Sequence, residues 1–149
     1  MHTKICFLDV DGPLATDKYF NSDKFTLSSG SVIPYKWDPD CCSAMAEILT
    51  VTRAKVVLSS DWRLHYSLDD MKELFDMYGL DPERLIGFTG QAKWRRYEIE
   101  QWIETHQIKQ WVAVDDMDLG FKTNFVHIKD TEVGIANNYI KNQIINYLK

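Results

Sequence analysis

An apolar run, Ile5-Cys6-Phe7-Leu8, ends abruptly in Asp9-Val10-Asp11-Gly12. Residues i and i+2 of an extended chain share a face, so Asp9 and Asp11 converge if the backbone is still extended, or just turning, at this point. Two close carboxylates repel each other unless a cation sits between them, and oxygen ligands of this kind suit a hard ion such as magnesium. Gly12 permits a sharp exit because it has no Cβ to clash. The plainer reading is an acidic strand end of the kind turns commonly carry, and the rest of the chain bears on the choice.

Apolar runs and amphipathic stretches alternate along the sequence. Lys4–Leu8, Val56–Leu58, Leu85–Phe88, Trp111–Val114 and Phe125–Ile128 read as short buried strands. Asp38-Pro39 opens a helix whose stripe is Cys42, Met45, Ile48 and Leu49. Ser67 caps a second helix, with Asp70 completing an acidic capping box, Leu68, Met71, Leu74, Phe75 and Tyr78 on one face, and Gly79 as its stop. Ile99, Trp102 and Ile103 mark a third helix reaching about His106, and Ala136, Ile140, Ile144, Tyr147 and Leu148 a fourth. Strand–helix alternation predicts a parallel sheet with helices on both faces. In such sheets ligands bind beyond the carboxyl ends of the strands. Three strands end there in useful chemistry: Asp9 and Asp11, Ser59 and Ser60, Asp115 and Asp116. Each pair is weak alone; together they predict an acidic pocket with hydroxyl donors at its rim.

At 149 residues the chain has the size of one domain, with residues 15–37 as an irregular insert. That insert is either a functional loop or small lid, or a mobile surface hairpin. The net charge of -5 argues against a broad basic face for duplex DNA, although Lys93, Arg95 and Arg96 form a local basic trio. The cysteines, Cys6, Cys41 and Cys42, resemble neither a disulfide framework nor a metal motif, which suggests a reducing compartment. No signal-peptide pattern and no membrane-length apolar run is seen, so the expectation is a cytoplasmic protein with no membrane partner.

Four carboxylates at one sheet edge call for a cation. A magnesium ion on Asp9 and Asp116 would offset their charge and clamp a phosphoryl group. One carboxylate could then attack phosphorus while the second protonates the leaving oxygen and later activates water. Ser59 could bind the non-bridging oxygens, and a side-chain cation is needed beside them. Counting back from buried Ile99 selects Arg95 or Arg96, with Lys93 in reserve; for any one of the three a solvated face is the plainer fate.

Asp9-Val10-Asp11-Gly12 after an apolar strand resembles the first motif of the haloacid dehalogenase (HAD) superfamily of phosphohydrolases. Ser59 resembles the second motif, Arg95 falls near the third, usually lysine, and Asp115-Asp116 resembles the fourth. Ser59-Ser60-Asp61-Trp62-Arg63, Arg95-Arg96-Tyr97-Glu98-Ile99 and Val133-Gly134-Ile135 are similar to the small, nearly capless HAD domains of RNA-repair and phage proteins. The resemblance implies a HAD-like Rossmannoid α/β three-layer sandwich with a central, mostly parallel five-stranded sheet and no large cap domain. It implies Asp9 as nucleophile, Asp11 as general acid/base, and magnesium held by Asp9, Asp116 and the Asp11 backbone carbonyl, with Asp115 reaching it directly or through water. Ser59 and Arg95 complete the catalytic set. Ser60, Arg63, Lys93 and Arg96 are candidate substrate contacts. Two departures stand out: Pro13 where the family usually has threonine or an aliphatic residue, and arginine in place of the third-motif lysine.

Arg63 could bind a second phosphate and Trp62 stack on a base; equally, Trp62 could be core and Arg63 paired with Asp61 or Glu73. The reading adopted places Arg63 near the phosphate and Trp62 in the core. His65, His106 and His127 have no metal spacing and read as ordinary structural or surface residues. The expected function is a magnesium-dependent phosphatase with an open pocket, acting through an aspartyl-phosphate on a nucleotide or polynucleotide-end phosphate. The competing readings are a non-catalytic metal- or phosphate-binding module, a phosphotransferase or dehalogenase on the same scaffold, and a phosphatase for another small metabolite or a phosphoprotein.

Overall fold

Strand β1 (Lys4–Leu8) lies at the centre of a five-stranded sheet, as its unbroken apolar sequence requires. The computed structural model describes residues 2–149. The chain continues through a short hairpin, β2 (Phe25–Thr26) and β3 (Val32–Ile33), to helix α1 (Pro39–Thr52) and strand β4 (Lys55–Leu58). Helix α2 (Leu68–Met77) leads to β5 (Leu85–Phe88), and α3 (Arg95–His106) to β6 (Gln110–Asp115). Strand β7 (Phe125–His127) and helix α4 (Asn138–Leu148) complete the chain. The sheet order is β5-β4-β1-β6-β7, and every pairing in it is parallel.

The first two crossovers step outward from β1 to β4 and β5, and the third steps back past β1 to β6. Right-handed connection therefore places α1 and α2 on one face and α3 on the other. The buried clusters follow this division. Cys6, Leu8, Val56, Leu58, Val112 and Val114 pack against α1, α2 and α4. Ile5, Phe7, Val57 and Ala113 pack against Ile99 of α3 and Leu119. Alternation along each strand sends odd-numbered residues of β1, β4 and β6 toward α3, and that parity carries on into the strand ends.

The helix starts follow their capping residues. Asp38 accepts the Asp40 N–H at 2.9 Å, with Pro39 opening α1. Ser67 accepts the Asp70 N–H at 3.0 Å, and Asp70 completes the capping box of α2. The strand and helix ends depart from the sequence reading by a residue or two: β6 includes Gln110 and Asp115, β7 stops at His127, and Ala136 lies in a 3-10 turn before α4. The larger departure is the 15–37 insert, which carries the β2–β3 hairpin docked on α2. Ser29 and Ser31 hydroxyls donate to Asp70 at 2.6 and 2.9 Å, the Tyr78 hydroxyl receives the Trp37 N–H at 3.0 Å, and Trp37 is fully buried. These anchors pair polar side chains across dozens of residues, which no local periodicity encodes. The three cysteines are buried free thiols. Among the described residues no helix is long and apolar enough to cross a membrane.

Candidate active site

In-register parallel pairing extends past the strands and builds one row across their carboxyl ends. The Asp9 N–H donates to Val114 O at 3.0 Å, the Ser59 N–H to Leu8 O at 3.1 Å, and the Thr89 N–H to Leu58 O at 3.0 Å. Thr89, Ser59, Asp9 and Asp115 thus stand side by side, all buried. Odd parity in β1, β4 and β6 turns Asp9, Ser59 and Asp115 toward the α3 face, where the first residue of α3 is Arg95. The row straddles β1 and β6, on either side of which the chain steps in opposite directions, the place where open α/β sheets bind ligands.

Asp9, Asp115 and Asp116 offer carboxylate oxygens within 4.8 Å of one another. Gly12 is what lets Asp116 close this group. Its φ is +102°, and a Cβ there would meet Asp116 Cβ at 2.8 Å. Gly134 supports the same loop from behind, because a Cβ on it would lie 2.6 Å from Pro13 O. Arg95 is the balancing cation: Nη1 lies 2.9 Å from Asp115 Oδ2 and 3.7 Å from Asp9 Oδ1, and Nη2 lies 3.0 Å from Asp61 Oδ1. Burial pushes the Asp9 carboxyl well above the usual carboxylate range, the Asp115 charge adds to the rise, and Arg95 opposes it. Burial likewise raises Asp115, opposed by Arg95 and by the Met117 N–H on Oδ1. Three carboxylates against one shared guanidinium, with hard oxygen donors converging, fit a divalent ion such as magnesium.

Asp11 lies outside this group. Its Oδ1 receives the Tyr35 hydroxyl at 2.6 Å and the Trp62 indole N–H at 3.1 Å. Trp62 is core, as the sequence suggests, and its polar edge also reaches the site. Tyr35 escaped the sequence reading. It sits in the insert, and only an aromatic embedded in a polar segment hinted at a purpose.

Among the described residues, two buried hydroxyls have no hydrogen-bond partner: Ser59 Oγ and Thr89 Oγ1. A buried donor left unpaired costs free energy, about 1–3 kcal/mol, so these two await an acceptor. Ser60 Oγ instead accepts the Trp62 N–H at 3.2 Å and caps a 3-10 turn at Asp61–Leu64.

Of the basic trio, the structure brings Arg95 alone to the carboxylates. Arg96 points away, donating to Gly120 O at 2.9 Å and pairing with Glu100 at 3.4 Å, and exposed Lys93 lies over the Trp94 ring. The expectation that Arg63 faces a phosphate does not match its position. Its guanidinium is buried, paired with Glu98 at 2.6 Å and donating to the carbonyls of Ser60 and Thr89 at 2.8 and 3.1 Å. Those carbonyls converge at the carboxyl ends of β4 and β5, where the several N–H donors of one guanidinium satisfy them together. Neither Asp61, 3.9 Å away, nor Glu73, which serves Ser28, is its main partner. His65 packs on Tyr66 and His106 stacks on Trp102, while His127 stacks on Phe125 and meets the Asp116 backbone carbonyl at 2.8 Å.

No curated protein matches the chain. The family described as "HAD domain in Swiss Army Knife RNA repair proteins" matches residues 5–140, taking in all the strand-end residues above. The five-stranded parallel sheet, the Asp cluster at its edge and this match together make the chain a member of that HAD domain family.

Proposed function

We propose that the protein is a magnesium-dependent phosphatase that works through an aspartyl-phosphate and acts on the phosphate of a nucleotide or a polynucleotide end. The observation that carries this reading is the row Ser59–Asp9–Asp115 with Arg95 across it: a buried nucleophile, an unpartnered hydroxyl and a cation on one face. The RNA repair proteins named by the family favour a polynucleotide end over a small metabolite.

Asp9, Asp116 and the Asp11 backbone carbonyl would hold magnesium, with Asp115 beside it. The ion would supply positive charge to the acidic cluster and to the phosphoryl oxygens. Asp9 attacks phosphorus, forming the acyl-phosphate bond as the ester P–O bond breaks. Asp11 gives its proton to the leaving alkoxide. With both Tyr35 and Trp62 donating to Oδ1, that proton sits on Oδ2. Asp11 then takes a proton from water, which attacks phosphorus and frees Asp9 together with inorganic phosphate. Ser59 donates to a non-bridging oxygen, and Arg95 offsets the charge of the transferring group.

The test is phosphate release from nucleotides, sugar phosphates and oligonucleotides phosphorylated at the 5′ or 3′ end, with magnesium and with excess chelator. Release that needs magnesium and disappears in Asp9→Asn is the expected result. Full activity in chelator, or in Asp9→Asn, overturns the reading. A preference for sugar phosphates would leave the reaction standing and change the substrate.

A further inference from the structure

Helix α3 begins in a way its own stability does not explain. Its N-cap is Trp94, whose side chain makes no capping bond, at a position where Ser, Thr, Asp or Asn would satisfy a free N–H. The cost of replacing a good cap is about 1 kcal/mol. Trp94 is also 66% exposed, with the Lys93 ammonium 5.1 Å from its ring centroid, while Trp37 and Trp62 are buried. Tyr97, one turn further on and on the same helix face, is 51% exposed, and Met117, from the loop after β6, is 46% exposed. These three side chains meet along a groove of about 600 Å³ whose floor includes Leu119. Apolar side chains gathered at a groove, rather than scattered singly, mark a binding surface.

The groove is continuous with the catalytic edge. Arg95 lines it and also holds Asp9 and Asp115, and Met117 follows Asp116 directly and donates its N–H to Asp115. The ester substituent of a phosphoryl group at Asp9 can therefore extend along Arg95 toward the groove. The groove's chemistry selects that substituent. Two aromatic rings and a polarisable thioether bind a flat π system by stacking. On the same walls Arg96 is paired with Glu100 at 3.4 Å and Arg95 with Asp115 at 2.9 Å, so both cations of the groove are already engaged. A substituent without a flat π system gains little here, and a long strand finds no unpaired cation in the groove for its further phosphates.

We propose that Trp94, Tyr97 and Met117 form a subsite that stacks the base of the nucleotide carrying the scissile phosphate. The subsite takes one neutral heteroaromatic ring, whether of a free mononucleotide or of the last residue of a chain. It rests on the phosphatase reading for the place of the phosphate, and it makes the terminal base, not the backbone, the recognised feature.

The test uses the full chain with magnesium, as wild type, Trp94→Ala and Trp94→Phe. The probes are 5′- and 3′-mononucleotides, trinucleotides with a 5′- or 3′-terminal phosphate, and the same trinucleotides with an abasic terminal sugar. Wild type should favour a terminal base over the abasic sugar through KM, by about tenfold as a single aromatic stack supplies. Trp94→Ala should collapse that ratio and Trp94→Phe largely keep it. The mononucleotide and trinucleotide arms tell a free nucleotide from a chain end. A ratio of one in wild type, or an unchanged ratio in Trp94→Ala, overturns the subsite. If wild type turns over no probe, the phosphatase reading fails and binding decides the subsite by itself. Trp94 is the exposed tryptophan of five, so base-bearing probes should quench its fluorescence and abasic ones should not. Equal quenching, no quenching, or a Trp94→Ala effect confined to self-association in sedimentation overturns the proposal.

Discussion

The Tyr35 hydroxyl lies 2.6 Å from Asp11 Oδ1, the same oxygen that receives the Trp62 indole N–H. The bond ties the docked insert to the turn after β1. Burial and the neighbouring carboxylate push the Tyr35 phenol up, so it remains a donor across the working pH range. Its geometric effect is to fix the rotamer of Asp11 and leave Oδ2 for proton transfer. Tyr35 is thus a positioning residue acting through Asp11.

Removing that support should weaken proton transfer to the leaving group without touching attack by Asp9. Tyr35→Phe keeps the ring, which packs 4.9 Å from Phe20 and 5.7 Å from Trp62 between centroids. General acid–base catalysis contributes about 10²–10⁴ in rate, and a misplaced acid should forfeit roughly tenfold of it. Read in kcat/KM, which ends at formation of the aspartyl-phosphate and so excludes the later water step, the loss should appear with alkyl phosphates, whose leaving alkoxide needs a proton, and largely vanish with a nitrophenyl phosphate, whose phenolate does not. An equal loss of kcat/KM with both substrates would mean that Tyr35 does not act through proton transfer to the leaving group.

Asp9→Asn should abolish turnover and stabilise the metal-free protein. Asparagine fills the same space but is a poor nucleophile. The sign of the stability effect follows from linkage. Burial and Asp115 raise the folded-state pKa of Asp9 above its unfolded value, so its contribution is fully present below the unfolded pKa and is lost as pH rises through the folded one. In chelator, then, the wild type should melt below Asp9→Asn at neutral pH, and the gap should close on acidification. Magnesium should raise the wild-type melting temperature more than that of the variant. A pH-independent gap would place the Asp9 ionisation outside this account.

Arg95→Ala should lower the rate on the order of a hundredfold, as for other lost charge stabilisers. Arg95→Lys should retain more, since an ammonium can still supply a point charge near Asp9, though not the fork that spans Asp115 and Asp61. Lys93→Ala and Arg96→Ala, which remove side chains turned away from the carboxylates, should change the rate little. Saturating-substrate rates for the four variants check this. A dead Lys93→Ala beside an active Arg95→Ala would reassign the cation.

The parts of the site that could be read from the sequence are those fixed by local pattern. Apolar runs ended by Asp9, Ser59 and Asp115 located the row, because parallel register aligns strand ends once the strands are known. Spacing from Ile99 put Arg95 on the sheet-facing side of α3, since residues four apart share a helix face. Tyr35 and Glu98 could not be read this way. Tyr35 meets Asp11 across 24 residues through an insert without periodicity, and Glu98 meets Arg63 across 35. Both contacts exist only after the chain has folded.

Arg63 and Glu98 form the brace that holds α3 against the sheet edge. Both side chains are nearly fully buried, at 4% and 6% exposure, and Glu98 Oε2 also receives the Ala92 N–H at 2.9 Å. The pair thereby orients the first turn of α3, from which Arg95 reaches Asp9. Breaking a buried pair strands a charge, so Arg63→Met or Glu98→Met alone should cost about 3–5 kcal/mol. The double variant should cost less than the sum, because it leaves neither charge uncompensated, although the carbonyls of Ser60 and Thr89 lose their donor wherever Arg63 is replaced. Denaturant unfolding of the two single variants and the double variant measures the coupling. Additive losses would show that Arg63 and Glu98 are not energetically coupled, and the brace would then not be their pairing.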